Sequence, residues 1–156
     1  MATTKGEGTA MTNTTTSDQQ LPTEPNSALR TLDQLVGTWS VSGSDGLTGT
    51  VTYEWLEGGH FLVQHVDLDS QGTRQRGVEY IGFDEASQTL KSHYFGSSDG
   101  ILEYTYELRD DLLTIWFGDT SSPAKFEGRF SADGTTNRGH WSWPGGGYES
   151  NMTRVT

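Results

Sequence analysis

The 156-residue sequence contains no cysteine and few basic residues. Without cysteine, the chain has no disulfide, no thiolate nucleophile, no cysteine-ligated zinc and no iron–sulfur cluster, and it suits a reducing cytoplasm. Ten Lys and Arg residues against twenty-one Asp and Glu residues give a formal net charge of −11. Because this negative field repels phosphate backbones and anionic lipid, we expect neither nucleic acid nor a membrane surface as a partner.

The sequence also lacks any long apolar run. No stretch approaches the roughly 20 apolar residues that span a bilayer. No apolar segment follows the early Lys5, as a secretory signal would require, so we expect a cytoplasmic protein. Residues 1–27 are rich in Thr, Ser, Gln, Gly and Pro, which bury too little apolar surface to offset the entropy of ordering the chain. The sequence therefore predicts a disordered polar tail over residues 1–27 and a single domain over residues 28–156.

A short leucine-spaced segment follows the predicted tail. Leu29, Leu32 and Leu35 recur every three residues behind Ser27, a residue type that caps helix N-termini, and Gly37 ends the pattern. This spacing predicts a short helix or 3-10 turn that plugs one end of the domain.

The rest of the chain alternates between strand-forming runs and turn-forming clusters. Runs rich in β-branched and aromatic residues are separated, about every 8 to 12 residues, by nine clusters such as SDG, EGG and SSDG, a pattern typical of all-β domains. The pattern predicts ten strands, at residues 37–43, 48–57, 60–69, 73–83, 89–96, 100–109, 112–118, 124–131, 136–143 and 147–155.

The links between these strands decide the topology. Each is shorter than the dozen or so residues that a parallel crossover needs, so the sequence predicts an antiparallel up-and-down meander. Pairing of the first strand with the last removes both exposed edges, and we therefore expect a closed β-barrel with a lumen. A two-sheet sandwich is the alternative, but its Greek-key connections need a long loop, and none is visible.

Two residues mark the point where the barrel closes. Gly37-Thr38-Trp39 opens the first predicted strand, and Arg154 stands near the end of the last. We expect the Trp39 indole to cap the closed end from inside, with its N–H bound to a carbonyl. A guanidinium over the indole face stabilises by about 0.5–2 kcal/mol, and closure brings Arg154 to that place.

This combination of Gly-x-Trp with a closing-strand Arg resembles the calycin superfamily of lipocalins, fatty-acid-binding proteins, avidins and nitrobindins. Over residues 30–155, the phrases LVGTWSV, YEWLEGGHFLVQ, YIGFD and GGGYESNMTRV are most similar to the bacterial lipocalin-like proteins grouped as DUF1579. The resemblance implies a calycin-like barrel that holds a small, mostly apolar molecule, and it implies no reaction. It also implies that Gly37, Trp39 and Arg154 are structural.

Haem and metal ions are both disfavoured. Nitrobindins bind haem through an axial His just before the closing-strand Arg, but residues 141–156 contain no His, and His140 lies one predicted strand earlier. His60 and His65 are five residues apart on a strand, so they point to opposite faces and do not converge on one ion. We therefore expect no cofactor and no metal.

Aromatic side chains are candidates for the lumen. Phe126 and Phe130 alternate with charged residues along their strand, so we expect both to face inward, and we expect the same of Trp141 and Trp143. The sequence predicts a lumen that binds a small apolar or aromatic ligand through Tyr53, Trp55, Phe61, Tyr104, Trp116, Phe126, Trp141 and Tyr148.

A small enzyme on the same barrel is the second hypothesis. The tight turns predict that Glu79 lies opposite Tyr94 or His93, that His93 lies opposite Glu103 or Tyr104, and that Tyr104 lies opposite Trp116. A histidine, a carboxylate and a phenol on one wall serve as base, orienting partner and acid in an isomerisation, cyclisation or hydrolysis. The candidate catalytic residues are His65, Glu79, His93 and Tyr104. In the alternative interpretation, the His and Glu side chains point into solvent and the aromatics form the core.

The segment LLTIWFG bears on the oligomeric state. If Leu113, Ile115 and Phe117 point outward, they form an apolar stripe of a kind that is usually covered, and a homodimer is then the expected partner arrangement.

Overall fold

The computed structural model describes residues 24–156 and consists of a closed barrel of ten antiparallel strands. Each strand pairs with its neighbours in sequence, and the first strand pairs with the last, which confirms the predicted all-β meander and its closure. The predicted strand bounds agree with the observed ones to within two residues. The strands are β1 (Gly37–Gly43), β2 (Thr48–Trp55), β3 (Phe61–Ser70), β4 (Thr73–Asp84), β5 (Thr89–Phe95), β6 (Ile101–Arg109), β7 (Leu112–Phe117), β8 (Lys125–Phe130), β9 (Thr136–Trp143) and β10 (Gly146–Arg154).

A short helix precedes the barrel and packs against one end of it. Helix α1 (Ser27–Arg30) continues into a 3-10 turn (Thr31–Leu35), and the three predicted leucines are at most 1% exposed. The N-cap is Asn26 rather than Ser27, since Asn26 Oδ1 accepts a hydrogen bond from the Ala28 amide at 2.8 Å. Within the described part of the chain, no helix has the length and apolar character needed to cross a membrane. Residues 1–23 of the predicted disordered tail lie outside the described residues.

The closed end of the barrel is built around Trp39. Its side chain is fully buried, and Nε1 donates a hydrogen bond to the Leu35 carbonyl at 2.8 Å. The Arg154 guanidinium lies 4.2 Å from the Trp39 ring centroid and donates to the carbonyls of Val36 and Gln34 at 2.6 and 2.8 Å. The first and last strands are thereby tied to the end of the 3-10 turn.

Gly37 is required by the same arrangement. Its φ of +126° lies in a region that L-residues rarely adopt, and a Cβ on Gly37 would lie 2.6 Å from Arg154 Nη1. Both the backbone conformation at the start of β1 and the closeness of the Arg154 guanidinium therefore require glycine at this position.

The two ends of the barrel differ in what covers them. Helix α1 and the 3-10 turn cover the end where β1 begins and β10 ends. The opposite end is formed by the turns β1–β2, β3–β4, β5–β6, β7–β8 and β9–β10. These turns are rich in Ser, Gly and Asp, and among the described residues their one helical element is the 3-10 turn Ser44–Gly46, which lines the mouth of the cavity. The lumen is therefore plugged at one end and open at the other.

The turn between β6 and β7 contains two residues, Asp110 and Asp111, whereas the predicted pairing of Tyr104 with Trp116 requires a turn of three residues. Asp110 has a left-handed φ of 57°, and the tight turn pairs Tyr104 with Phe117. The predicted pairing of Tyr104 with Trp116 is therefore wrong. Because a shift of one residue moves a side chain to the opposite face of the sheet, Trp116 lies on the outer wall.

The same register turns the predicted dimer stripe inward. Leu113 and Ile115 are 1% and 8% exposed and line the lumen, so they offer no outward surface. Leu113 and Ile115 therefore do not meet the condition under which a dimer stripe was predicted, and the homodimer stays a prediction. Large exposed apolar side chains occur instead on the outer faces of β3 to β5, where Tyr80 packs edge-on against Phe95 beside Phe61.

Candidate functional site

The barrel lumen contains a cavity of about 640 Å³. It opens at the end opposite the plug, where Ser44 and Asp45 of the β1–β2 turn and Ser97 and Ser98 of the β5–β6 turn line it. Ligand pockets for small molecules typically have volumes of about 300–1,000 Å³. The barrel therefore has room for a molecule of two or three rings.

One side of the lumen carries a polar cluster on the inner faces of neighbouring strands. The antiparallel register places Gln64 opposite both Tyr53 and Glu79, and it places Glu79 opposite Tyr94. Since side chains on one face of paired strands are neighbours, these polar groups converge although they are far apart in sequence. The polar cluster consists of Tyr53, Gln64, Glu79, Ser92 and Tyr106.

Glu79 is the centre of the polar cluster. Glu79 is 4% exposed. Its carboxyl group accepts hydrogen bonds from Ser92 Oγ, at 2.5 Å on Oε2, and from the Tyr106 hydroxyl, at 2.7 Å on Oε1. Gln64 Nε2 donates to the Tyr53 hydroxyl at 2.8 Å beside it. Both carboxyl oxygens are thus fixed by hydroxyl groups on two neighbouring strands.

Burial controls the protonation of this cluster. Loss of water raises the pKa of Glu79 above its ordinary value, and the bonds from Ser92 and Tyr106 offset this only in part. Burial, followed by the nearby Glu79 carboxyl, raises the pKa of Tyr104 to about 12 and that of Tyr106 well above its ordinary value. At neutral pH the phenols are therefore uncharged, and Glu79 retains its proton to a higher pH than an exposed carboxyl does.

The other side of the lumen is an aromatic wall, made of Tyr104, Phe126, Trp141 and Tyr148. The Trp141 ring lies edge-on to Tyr104 at 5.9 Å between centroids and tilted against Phe126 at 5.7 Å. Such contacts stabilise by about 0.5–1.5 kcal/mol beyond the buried area, so the rings hold one another in place. The aromatic wall and the polar cluster face the same cavity.

Two glycines make room for one ring of the aromatic wall. Gly128 and Gly139 are paired across β8 and β9, and the Phe126 ring covers them. A Cβ on Gly128 would lie 2.6 Å from Phe126 Cζ, so any side chain there displaces the ring. The glycine pair therefore lets the Phe126 ring lie flat against the barrel wall, where it lines the cavity without filling it.

Comparison with protein families identifies the chain. A family model described as a protein of unknown function, DUF1579, matches residues 24–129, which is more than half of the sequence. The chain belongs to the DUF1579 family. No curated protein matches this chain. The matched segment of the DUF1579 barrel runs from the residues before α1 into β8, and it contains the whole polar cluster but neither Trp141 nor Tyr148 of the aromatic wall.

Five of the eight lumen residues singled out in the sequence line the cavity of the DUF1579 barrel; they are Tyr53, Tyr104, Phe126, Trp141 and Tyr148. Trp55 faces inward but lies against the plug, where its Nε1 donates to Asp33 Oδ1 at 2.9 Å and the Arg30 guanidinium covers its ring at 4.4 Å. Trp55 thus belongs to the closed end and not to the cavity.

The remaining two, Phe61 and Trp116, are not in the lumen, which corrects their predicted positions. Phe61 is 47% exposed and covers Gly82 on the outer wall. On β3 the inward positions start one residue later, at Leu62, and continue through Gln64. Trp116 lies on the outer wall because the two-residue β6–β7 turn pairs it with Thr105 rather than with Tyr104.

The four candidate catalytic residues do not come together in the DUF1579 barrel. Glu79 and Tyr104 line the cavity. His65 and His93 lie on the outer wall, where their Nε2 atoms contact carboxylates of Glu54 and Glu103 at 3.0 and 2.8 Å. His93 faces outward because Ser92 and Tyr94 occupy the inward positions of β5. The two histidines therefore lie on the opposite side of the barrel wall from Glu79.

Ser92 and Tyr106 are functional candidates that the sequence analysis did not select. Tyr106 is two residues from Tyr104 and so shares its face, a period-2 signal that was present in the sequence. Ser92 carried no comparable signal, because its contact with Glu79 depends on the register of β4 with β5.

Within residues 24–156, neither a histidine of the lumen nor a cluster of acidic side chains is placed to hold haem or a metal ion. Between residues 24 and 156, no group of three or more His, Asp or Glu side chains is placed to hold a metal. His140 is exposed on the outer wall between Glu127 and Glu149, and no histidine of the described chain lines the cavity. A haem in this lumen would find no axial imidazole.

Proposed function

We propose that the protein is a binding barrel that encloses a small, largely apolar or aromatic molecule in its lumen. The cavity of about 640 Å³ supports this proposal, because side chains leave it open although a barrel of this size can be filled by its own core. A rigid aromatic wall on one side and a few fixed polar groups on the other are typical of small-molecule sites.

The closure of the barrel supports a relationship with the calycins. Trp39 under the Arg154 guanidinium, with Gly37 at the entrance to β1, is the arrangement on which the resemblance to lipocalin-like proteins rests. We propose that this DUF1579 barrel uses its lumen as those proteins do, to carry or sequester a small molecule.

A matched pair of substitutions tests whether molecules bind in the lumen. Leu102 lines the cavity near its mouth, whereas its neighbour Ile101 is 62% exposed on the outer wall. We expect Leu102→Trp to weaken binding of the neutral dye Nile red about tenfold, because the indole occupies space that the dye needs. Ile101→Trp adds the same group outside the lumen and should leave the affinity unchanged. Fluorescence titration measures both, and equal effects of the two substitutions would contradict binding in the lumen.

Native mass spectrometry of protein purified from its own host complements this test. A stoichiometric small molecule released on denaturation identifies the ligand class directly. A protein that binds no Nile red and carries no released molecule under these conditions would contradict the proposed function.

Catalysis of proton transfer in the same cavity is a second candidate function. Glu79 favours it, because a buried carboxyl with a raised pKa beside neutral phenols is a common feature of general acid–base sites. Glu79 and Tyr104 are the residues that could carry such chemistry, since the outer-wall histidines cannot reach the cavity.

Deuterium incorporation distinguishes an enzyme from a carrier. If Glu79 transfers protons to carbon, the molecule released from the protein should gain deuterium when it is incubated with the wild-type protein in D2O. Glu79→Gln should abolish this exchange. A molecule that stays unlabelled with the wild-type protein supports the carrier and excludes proton transfer at carbon for that ligand.

A further inference from the structure

We infer that the lumen selects an organic cation, an arylalkyl amine whose protonated nitrogen binds the Glu79 carboxylate while its rings lie along the aromatic wall. This inference rests on the proposed function, since it names the class of molecule that the binding barrel takes.

The charges around the cavity point to a cation. Among the described residues, no Lys, Arg or His side chain lines the lumen, and the ionisable acids that do are Glu79 in the wall and Asp45 at the mouth. A ligand carboxylate would be buried beside Glu79 without a positive partner, which is a costly arrangement. An ammonium group would instead receive the partner that a buried charge needs.

The hydrogen bonds of Glu79 leave room for such a group. Each carboxylate oxygen accepts up to two hydrogen bonds. Oε1 accepts one from Tyr106 and Oε2 accepts one from Ser92, so each oxygen keeps one free acceptor site. Since Glu79 lines the cavity, a ligand N–H can donate there without displacing a protein hydrogen bond.

Tyrosine rings surround the same space. Five of the six tyrosines of the chain line the cavity, and they are Tyr53, Tyr94, Tyr104, Tyr106 and Tyr148. Aromatic faces attract ammonium groups, and phenol oxygens accept hydrogen bonds from them. Because the phenols remain neutral in this environment, Glu79 is the single group in the wall that supplies the negative charge.

The negative electrostatic field outside the barrel also favours a cationic ligand. The formal net charge of −11 raises the local concentration of cations at the surface, and Asp45 stands at the mouth of the cavity. An organic cation is therefore attracted to the entrance and then paired inside by the ionised Glu79, whereas an organic anion is repelled at the entrance and meets no cationic side chain among the residues that line the cavity.

Ionisation of Glu79 couples amine binding to pH. Burial favours the protonated form of Glu79 and an ammonium ligand favours the ionised form, so amine affinity should rise as the pH rises through the raised pKa of Glu79, until the amine itself loses its charge. The groups that face Glu79 are Tyr53 on β2, Gln64 on β3, Ser92 and Tyr94 on β5, and Tyr106 on β6. The Tyr104 phenol is also close enough to respond to the Glu79 charge. None of these groups titrates below the range of a phenol, and comparison with Glu79→Gln, which keeps Asp45 at the mouth, assigns the remaining pH dependence to Glu79.

Three naphthalene probes of similar size test the inference. They are 1-naphthylmethylamine, which is a cation, 1-naphthylmethanol, which is neutral, and 1-naphthylacetate, which is an anion. Displacement of Nile red from the full chain measures their affinities. We expect the amine to bind more tightly than the alcohol, and the acetate to bind most weakly.

Glu79→Gln supplies the decisive variant. The amide keeps an acceptor for Tyr106 and a donor for Ser92 but removes the charge, so amine affinity should fall about 10-fold to 100-fold while alcohol affinity stays within about twofold. The same change should abolish the rise of amine affinity with pH. Glu103→Gln on the outer wall makes the matched chemical change outside the lumen and should alter neither affinity.

The outcomes separate the inference from the function on which it rests. If the alcohol or the acetate binds the wild-type protein as tightly as the amine, or if Glu79→Gln leaves amine affinity unchanged, selection for a cation is refuted while binding in the lumen stands. If neither Nile red nor any probe binds, the proposed function itself fails. Should Glu79→Gln not fold, the ranking of the three probes on the wild-type protein still decides the inference.

Discussion

Replacing Trp39 with alanine should lower the free energy of unfolding by about 3–5 kcal/mol, the cost of truncating a large buried aromatic side chain. The indole is fully buried, its N–H bond to the Leu35 carbonyl is lost, and the Arg154 guanidinium loses the ring beneath it. Domains of this size are stable by about 5–15 kcal/mol, so the substitution removes a large part of the total.

Urea unfolding followed by circular dichroism measures this change. Trp143→Ala is the matched control, because Trp143 is 43% exposed at the open end and contacts Tyr148 at 6.0 Å between ring centroids. Loss of that contact should lower the free energy of unfolding by about 1 kcal/mol. Equal losses for the two tryptophans would show that the closed end is not where the stability of the barrel is concentrated.

Replacing Glu79 with glutamine should change how the stability of the barrel depends on pH. Burial raises the pKa of Glu79 in the folded state, so the folded chain keeps a proton that the unfolded chain has already lost. The stabilisation is complete below the unfolded-state pKa and is lost as the pH rises through the raised folded-state pKa. In that window the wild-type protein should lose up to about 1.4 kcal/mol of stability per pH unit relative to Glu79→Gln.

The difference between the two proteins isolates Glu79 from the exposed acids. Ser131 and Thr135 hold the pKa of Asp133 at about 2, and hydrogen bonds from neighbouring side chains also lower the pKa values of Asp67, Asp84 and Asp119. These shifts act in the opposite direction at low pH, but both proteins contain them and they cancel. The measurement is the free energy of unfolding in urea at a series of pH values. Parallel curves for the two proteins would show that folding does not raise the pKa of Glu79.

Much of the fold could be predicted from the sequence because its turns are short and chemically distinct. Glycine, aspartate and serine clusters separate the strands, and links of this length permit only antiparallel pairing. On β8 the alternation of Phe126 and Phe130 with charged residues also fixed which side faces inward. In these segments local pattern and global topology agree, so the sequence alone was sufficient.

The interior could be predicted only where one face of a strand is clearly polar. At the start of β3, Phe61, Leu62 and Val63 are all apolar, so the pattern did not distinguish the inner face from the outer one. On β7 an error of one residue in the length of the β6–β7 turn placed Trp116, in the position of Phe117, opposite Tyr104. The polar cluster could not be predicted from the sequence, because the contacts of Glu79 with Ser92 and Tyr106 require the correct register of three strands, β4, β5 and β6.

The plugged end and the open end of the barrel should differ in the free energy needed to open them. The buried leucines and the Trp39–Arg154 contact tie the closed end to the global stability of the barrel, whereas the short polar turns at the mouth contribute few buried contacts. Segments of that kind open locally at a small free-energy cost while the core remains intact. If the lumen binds a molecule as we propose, we expect substitutions in the mouth turns to change its dissociation rate without weakening the fold.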